Sequence, residues 1–147
     1  MGMPSVTLER AGPDALCYVE SLLEQNDLPV RDVPSKPECF YVGYDGDVRV
    51  GIGGIEIEGT VGLLRSVVVE RAVRGAGYGS ALCAALEDVA RADGVERLYL
   101  LTTTAVGFFA GRGYERIDRA SVPASIRETT EFAELCPTTA ACLRKEP

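Results

Sequence analysis

The sequence predicts a mixed α/β (α+β) fold, one central sheet that is part parallel and part antiparallel, with helices on both faces. Residues 61–102 read strand, helix, strand, the unit that joins two parallel strands by a crossover. Residues 39–69 read as three successive β-rich runs joined by short turns, an antiparallel meander. The 147 residues suit a single domain, 1–147, long enough to bury roughly two-thirds of the surface its unfolded chain exposes.

The elements follow in order. "SVTLE" (5–9) alternates as a first strand, and "DALCYVESLLEQN" (14–26) has the spacing of an amphipathic helix, with Pro13 suited to its first turn. "DLPVRDVPSKPE" (27–38) carries three prolines and predicts a non-helical loop. "CFYVGY" and "VRVGIGGIEIEG" flank Asp45-Gly46-Asp47, a hairpin signal, and "VGLLRSVVV" (61–69) is an apolar third strand. A helix over Gly77–Ala92 places Ala81, Leu82, Ala85, Leu86 and Val89 on one face. "ERLYLLT" then predicts a strand, "AVGFFAGR" a short helix, and "GYERID" a strand leading away. "PASIRETTEF" is a proline-started segment, and "TAACLRK" a terminal strand-like run.

Composition narrows the function. The net charge is −7, which disfavours broad attraction to nucleic acid or to an anionic membrane. No run approaches the roughly 18 apolar residues of a membrane span, so the expectation is a cytoplasmic protein, monomer or homodimer. Five cysteines, none in a C-x-x-C pair, make a disulfide framework or a structural zinc site improbable, and no metal is expected. Cys17 and Cys83 lie in helical patterns and are expected to be buried. There is no histidine, which removes Ser-His and Cys-His nucleophiles.

The glycine-rich turn "RGAGYGS" (74–80) opens the central helix, where unpaired N–H groups and the helix dipole favour phosphate. The dinucleotide fingerprint fails, because Ser80 stands at its third glycine and the next strand ends Leu100-Leu101-Thr102 without an acid. A P-loop fails for want of Gly-Lys-Ser/Thr. A turn that merely reverses the chain remains as the plain reading.

Val67-x-Val69, four residues, then Arg74-x-x-Gly77-x-Gly79 at the head of an Ala/Leu-rich helix resembles the R/Q-x-x-G-x-G/A motif of the GNAT superfamily of N-acetyltransferases. The resemblance covers most of the chain and implies a mixed sheet of about six or seven strands. It implies acetyl-CoA as co-substrate, with pyrophosphate on the N–H groups of Gly75, Ala76, Gly77, Tyr78, Gly79 and Ser80 and with Arg74 beside them. The pantetheine arm would pair with the edge at Val67 and Val69. Arg71 stands where the family usually has proline. "YLLTTTAVGFFAGRGYERID" resembles the family's second half, with Thr102 and Phe109 near the thiol end where an asparagine and an acidic tyrosine are frequent. Thr102-Thr103, Phe108-Phe109 and Arg112-Gly113-Tyr114 resemble glutamate-acetylating enzymes. "LLRSVVV", "LTTTAVGFF" and the tail from Val122 resemble the small N-acetyltransferases of arsenic-resistance operons, associated with the α-amino group of arsinothricin, a glutamate mimic. The arginine that glutamate-acetylating relatives carry near the end is replaced here by "TTAAC".

Such chemistry rests on positioning and oxyanion stabilisation, for which the backbone N–H near Val68 and Val69 is the expected donor. Glu56, in the neighbouring strand of the meander with Glu58, is the first candidate to take the ammonium proton; a solvated acid is the equal alternative. Alternation places Arg65 on the face of Val67 and Val69, with Ser66 opposite. Two readings of Arg65 stand: a fork onto a substrate carboxylate, or a salt bridge to Glu56 or Glu58. Arg31 and Asp32 are expected at a substrate lid, and Thr129, Thr130 and Glu131 at a closing tail. The expected partner is a small-molecule amine. The alternatives are a protein or peptide N-acetyltransferase and a non-catalytic acyl-CoA-binding module.

Overall fold

The computed structural model describes residues 4–28, 30–129 and 140–147. These form a seven-stranded sheet in the order β1-β2-β3-β4-β5-β7-β6. β1 (Thr7–Arg10), β2 (Phe40–Asp45), β3 (Val48–Glu58) and β4 (Val61–Val69) are successive antiparallel neighbours. β5 (Arg97–Thr102) runs parallel to β4, and β7 (Ala141–Lys145) inserts antiparallel between β5 and β6 (Glu115–Ile117). "GYERID" therefore makes the outer edge, because the terminal strand takes the place beside β5.

Helices cover both faces, as expected. On one face α2 (Tyr78–Ala92) and α3 (Val106–Gly111) pack against Ile55, Leu64, Leu98 and Leu100. On the other, α1 (Pro13–Gln25) packs on Phe40, Val42, Ile52 and Val68, and the short α4 (Ala124–Arg127) on Leu63 and Tyr99. The "VGIGGIE" run of β3 is a seat for α2. A Cβ on Gly53 would stand 2.4 Å from Leu86, and one on Gly51 would stand 2.2 Å from the Val68 carbonyl and 2.8 Å from Leu82. Bare strand backbone thus lets the helix approach closely.

Three expectations change. The 27–38 loop contains 3₁₀ turns at Val33–Ser35 and Pro37–Cys39, each with proline in its first turn. Cys17 is exposed on the outer side of α1, whereas Cys83 is buried under α2 as expected. The α2 core face also includes a charge, the buried Glu87, while Val89 is partly buried against the same cluster. Glu87 receives Arg112 (2.9 Å), Lys145 (3.2 Å) and the Tyr114 hydroxyl (2.9 Å), which ties α2 to the terminal strand. Thr130 and Glu131 lie outside the described residues; Thr129 is buried and bonded to the Ile126 carbonyl at 2.7 Å.

Candidate functional site

The site begins at a fault in β4. Register runs Gly54 to Arg65 and Ile52 to Val68, so Ser66 and Val67 together oppose Gly53, and Ser66 takes the left-handed conformation (φ 60°). This is a β-bulge, which breaks alternation. Leu64 and Val67 consequently pack toward α2, while Val68 packs toward α1. Arg65 stacks over the Phe40 ring in the α1 cluster (5.2 Å). The expectation that Arg65 shares a face with Val67 is therefore corrected: the extra residue of the bulge separates them.

The bulge also coincides with a parting of strands. β4 pairs with β5 only over Val61–Leu63; beyond that point the two diverge and leave a free edge. Glu70 N donates to Val50 O at 2.8 Å, and alternation along an antiparallel ladder turns the Val68 amide toward β3 as well. By the same alternation the Val69 backbone faces the free edge, where its carbonyl accepts Arg74 Nε at 3.0 Å. Of the two expected oxyanion donors, Val68 thus turns its N–H toward β3, while Val69 faces the opening.

A groove of about 640 Å³ runs from this edge to the head of α2 and is lined by Val67, Val69, Arg74, Gly75, Gly77, Gly79, Ser80 and Phe108. Gly75 (φ 87°) and Gly77 (φ 89°) are left-handed, and Gly77 caps α2 with no side chain bonded to the first-turn amides. Nothing lies within 4 Å of a Cβ built on Gly75. The first turn thus presents open N–H groups to an uncluttered cradle, which fits a pyrophosphate. Arg74 closes the side of the groove: its Nε donates to Val69 O (3.0 Å) and its terminal nitrogen to Asn26 Oδ1 (2.9 Å). The Tyr78 hydroxyl donates to Asp45, anchoring the helix head to the β2–β3 hairpin.

A second cavity of about 580 Å³ opens on the other side of the bulge. Its walls are the diverging strands, Leu64–Val67 and Leu100–Thr102, closed by Thr103–Ala105 and by Asp27, Leu28, Val30 and Arg31 from the loop after α1. Leu28, Val67, Thr104, Ala105 and Phe109 line both spaces. Thr102 Oγ1 accepts the Ala105 amide at 3.0 Å and shapes the turn into α3.

Arg65 borders this cavity with its side chain wholly enclosed. It forks onto Asp32, one terminal nitrogen meeting Oδ1 at 2.9 Å and the other Oδ2; it also donates to Glu56 (3.0 Å) and to Ser66 Oγ (3.0 Å). Lys36 bonds the other Glu56 oxygen at 2.9 Å. The salt-bridge reading of Arg65 is thus realised, with Asp32 as a partner that spacing on the strand did not show. Burial alone would raise the Asp32 carboxyl, but the hydrogen bond and charge of Arg65, helped by Lys36, outweigh it and hold the group below its ordinary value. Glu56 lies outside the lining of the cavity, with both oxygens engaged by Arg65 and Lys36.

Other groups are silent for chemistry. Burial pushes Cys39 up to about 11, with the charge of Glu56 adding to it, and burial pushes Cys83 up to about 12. Neither supplies a thiolate near neutral pH. Tyr114 is raised by burial and by the Glu87 carboxylate its hydroxyl meets. Phe109 packs edge-on between Phe108 (5.0 Å) and Tyr114 (5.5 Å). Among the described residues no helix is long and apolar enough to cross a membrane, and no group of three or more His, Cys, Asp or Glu is arranged to hold a metal.

Comparison with known proteins agrees with this geometry. Residues 11–116, more than half of the chain, match the model of the Acetyltransferase (GNAT) family. A segment of 53 residues is 45% identical to mouse (Mus musculus) N-alpha-acetyltransferase 80, covering 36% of this chain and 17% of that protein. Among solved structures, N-acetylglutamate synthase from Neisseria gonorrhoeae, complexed with coenzyme A and L-arginine, superposes with a TM-score of 0.82 at 20% identity, covering 97% of this chain and 33% of the other. Arabidopsis thaliana Naa50, in complex with the bisubstrate analogue CoA-Ac-MVNAL, gives 0.70 at 21% identity over 97% and 99% of the two chains. The chain thus spans about a sixth of the mouse relative and a third of the synthase, and at 20–21% identity the two structural likenesses are ones of fold. With the bulged and parted strand, the glycine cradle and the family match in agreement, the chain belongs to the Acetyltransferase (GNAT) family.

Proposed function

We propose that this chain is an acetyl-CoA-dependent N-acetyltransferase whose acceptor is the α-amine of a small amino acid or amino-acid-like molecule, of the glutamate-mimic kind typified by arsinothricin. The observation that carries the reading is the meeting of two cavities at the bulge. One is the groove of open amides, the other a compact space walled by Arg31, Thr102, Thr103 and Thr104.

In this reading the pyrophosphate lies on the amides from Gly75 to Ser80, Arg74 flanks it, and the pantetheine pairs with Val67 and Val69. The thioester then reaches the shared wall. A neutral amine attacks the thioester carbonyl carbon, and the oxyanion is met by an edge amide at Val67 or Val69. The C–S bond breaks, the amine nitrogen loses its proton, and the sulfur leaves as thiolate. A thiol of pKa about 8.5 leaves without a strong acid, which suits Phe109 and Thr102 at the thiol end. Glu56 acts from behind Arg65 by fixing the cavity wall. Arg31, expected at a substrate lid and lining this cavity, takes the contact to a substrate carboxylate that the strand position had suggested for Arg65.

A second reading, acetylation of peptide N-termini, is favoured by the 45% identity to a segment of N-alpha-acetyltransferase 80. Both readings place an α-amine in the same cavity. Release of free thiol from acetyl-CoA, measured against L-glutamate, phosphinothricin, arsinothricin and a free-amine pentapeptide, separates them. Turnover with the amino-acid analogues supports the first and turnover with the peptide alone the second; coenzyme A binding with no amine-dependent release would leave a binding module.

A further inference from the structure

We propose that Asp27 is the residue that binds the acceptor's ammonium in the second cavity, and so selects a cationic amine over neutral nucleophiles. This rests on the transferase reading above.

Asp27 is the only carboxylate in the described lining of that cavity, since Glu56 and Asp32 are turned into the Arg65 network. It is exposed, so an incoming ammonium meets it without first breaking a buried ion pair. Its position is also fixed. α1 ends in a tight turn in which Leu28 N donates to Leu23 O (2.9 Å) and Asp27 N to Glu24 O (3.2 Å), with Asp27 in the left-handed conformation (φ 56°). That position favours glycine, and asparagine or aspartate tolerate it best among the rest. Its neighbours serve the other half of the site: Asn26 receives Arg74 at 2.9 Å, and Leu28 lines both spaces. One turn thus places a carboxylate beside the wall where the thioester arrives.

The chemistry suits binding rather than proton abstraction. An α-amine of pKa about 8 is roughly one-tenth neutral at pH 7 without any protein base, so the site needs a group that holds the amine more than one that strips its proton. Asp27 therefore holds and orients the amine, and the proton departs to solvent at the open mouth.

Asp27→Asn keeps the left-handed turn and the shape of the side chain but removes the charge. Its KM for the fastest acceptor among L-glutamate, phosphinothricin and a free-amine pentapeptide is expected to rise about tenfold or more, the scale of a lost charge-assisted hydrogen bond, with the acetyl-CoA KM unchanged. Asp27→Gly, which suits the backbone better, is expected to show the same rise with undiminished thermal stability, an outcome a purely structural role would not produce. Wild-type turnover with an unchanged acceptor KM in both variants overturns the role of Asp27 alone. Absence of amine-dependent thiol release by the wild-type protein overturns the transferase reading and this inference with it.

Discussion

The groove at the head of α2 and the cavity beyond the bulge share a wall at Phe109 but are made of different material. The groove's distinctive features are backbone ones, two left-handed glycines, an uncapped helix start and a strand edge, all supplied by residues 67–80, with Leu28, Phe108 and Phe109 completing the lining. The cavity is mostly side chain, drawn from the loop after α1, β4, the end of β5 and the turn into α3. Its wall is braced from behind by an ion network that, among the described residues, joins Asp32, Lys36, Glu56 and Arg65. A backbone site is set by conformation and tolerates change around it. A side-chain site depends on partners far apart in the chain.

The largest effect is expected where the bracing is removed. Arg65→Met leaves the carboxylates of Asp32 and Glu56 buried with Lys36 as their remaining cationic partner among the described residues, and breaking a buried pair in this way costs about 3–5 kcal/mol. Denaturant unfolding should show that loss, while coenzyme A affinity of the folded variant should change little, because the groove does not use Arg65. An equal loss of coenzyme A affinity would mean the two halves are not separable. The pH dependence carries a sign. In the parent, the depressed Asp32 carboxyl contributes stability that is complete above its ordinary value of 3.8 and lost as pH falls through its lower folded value. Without Arg65, burial dominates and raises that carboxyl, so protonation stabilises the variant. The stability gap between the two proteins should therefore narrow from pH 7 to pH 4.

The two halves were unequally legible in the sequence for the same reason. The groove is local: Arg74, Gly77 and Gly79 declare it within six residues, and a helix start needs no distant partner. The alternation rule worked for Val67 and Val69 yet failed for Arg65, because a one-residue bulge at Ser66 has no marker such as glycine. Asp32 and Lys36 come to Arg65 only through the folding of a proline-rich loop, which the spacing of strand residues does not encode. Asp27 stood in the sequence only as the first residue of that loop. The glycines of β3 did carry a signal, since Gly51 and Gly53 within an apolar strand mark a close approach, but only packing shows that the visitor is α2.

A smaller effect separates the glycines of the groove. Gly77→Ala puts a Cβ on a left-handed residue and within 3.1 Å of Pro4, which should cost about 1–2 kcal/mol. Gly79→Ala places its Cβ at ordinary contact distance, 3.6 Å from Phe108 and 3.7 Å from Val69, inside a helix where alanine is preferred to glycine by about 0.5–1 kcal/mol. Gly79→Ala should therefore be as stable as the parent or more so, yet bind coenzyme A more weakly, because the new methyl projects between two groove-lining residues. Calorimetric titration beside thermal unfolding reads both quantities. Equal affinity in Gly79→Ala would show that the third glycine of the turn serves the fold rather than the ligand.

The smallest effect is expected at the shared wall. Phe109→Tyr adds a hydroxyl where the family resemblance implies a tyrosine, and the ring already sits in an edge-on pair with both Phe108 and Tyr114, so the added atom disturbs little packing. Where departure of the sulfur needs an acid, a well-placed donor contributes about 10²–10⁴-fold. A thiolate leaving group of pKa about 8.5 has little need of one at neutral pH. The kcat for an amino-acid acceptor should accordingly change by no more than about threefold, about 0.65 kcal/mol on the barrier, and its pH profile should keep its shape. An increase of a hundredfold would mean that the parent is limited at sulfur departure. The backbone groove would then be complete while the side-chain half of the site lacked its acid.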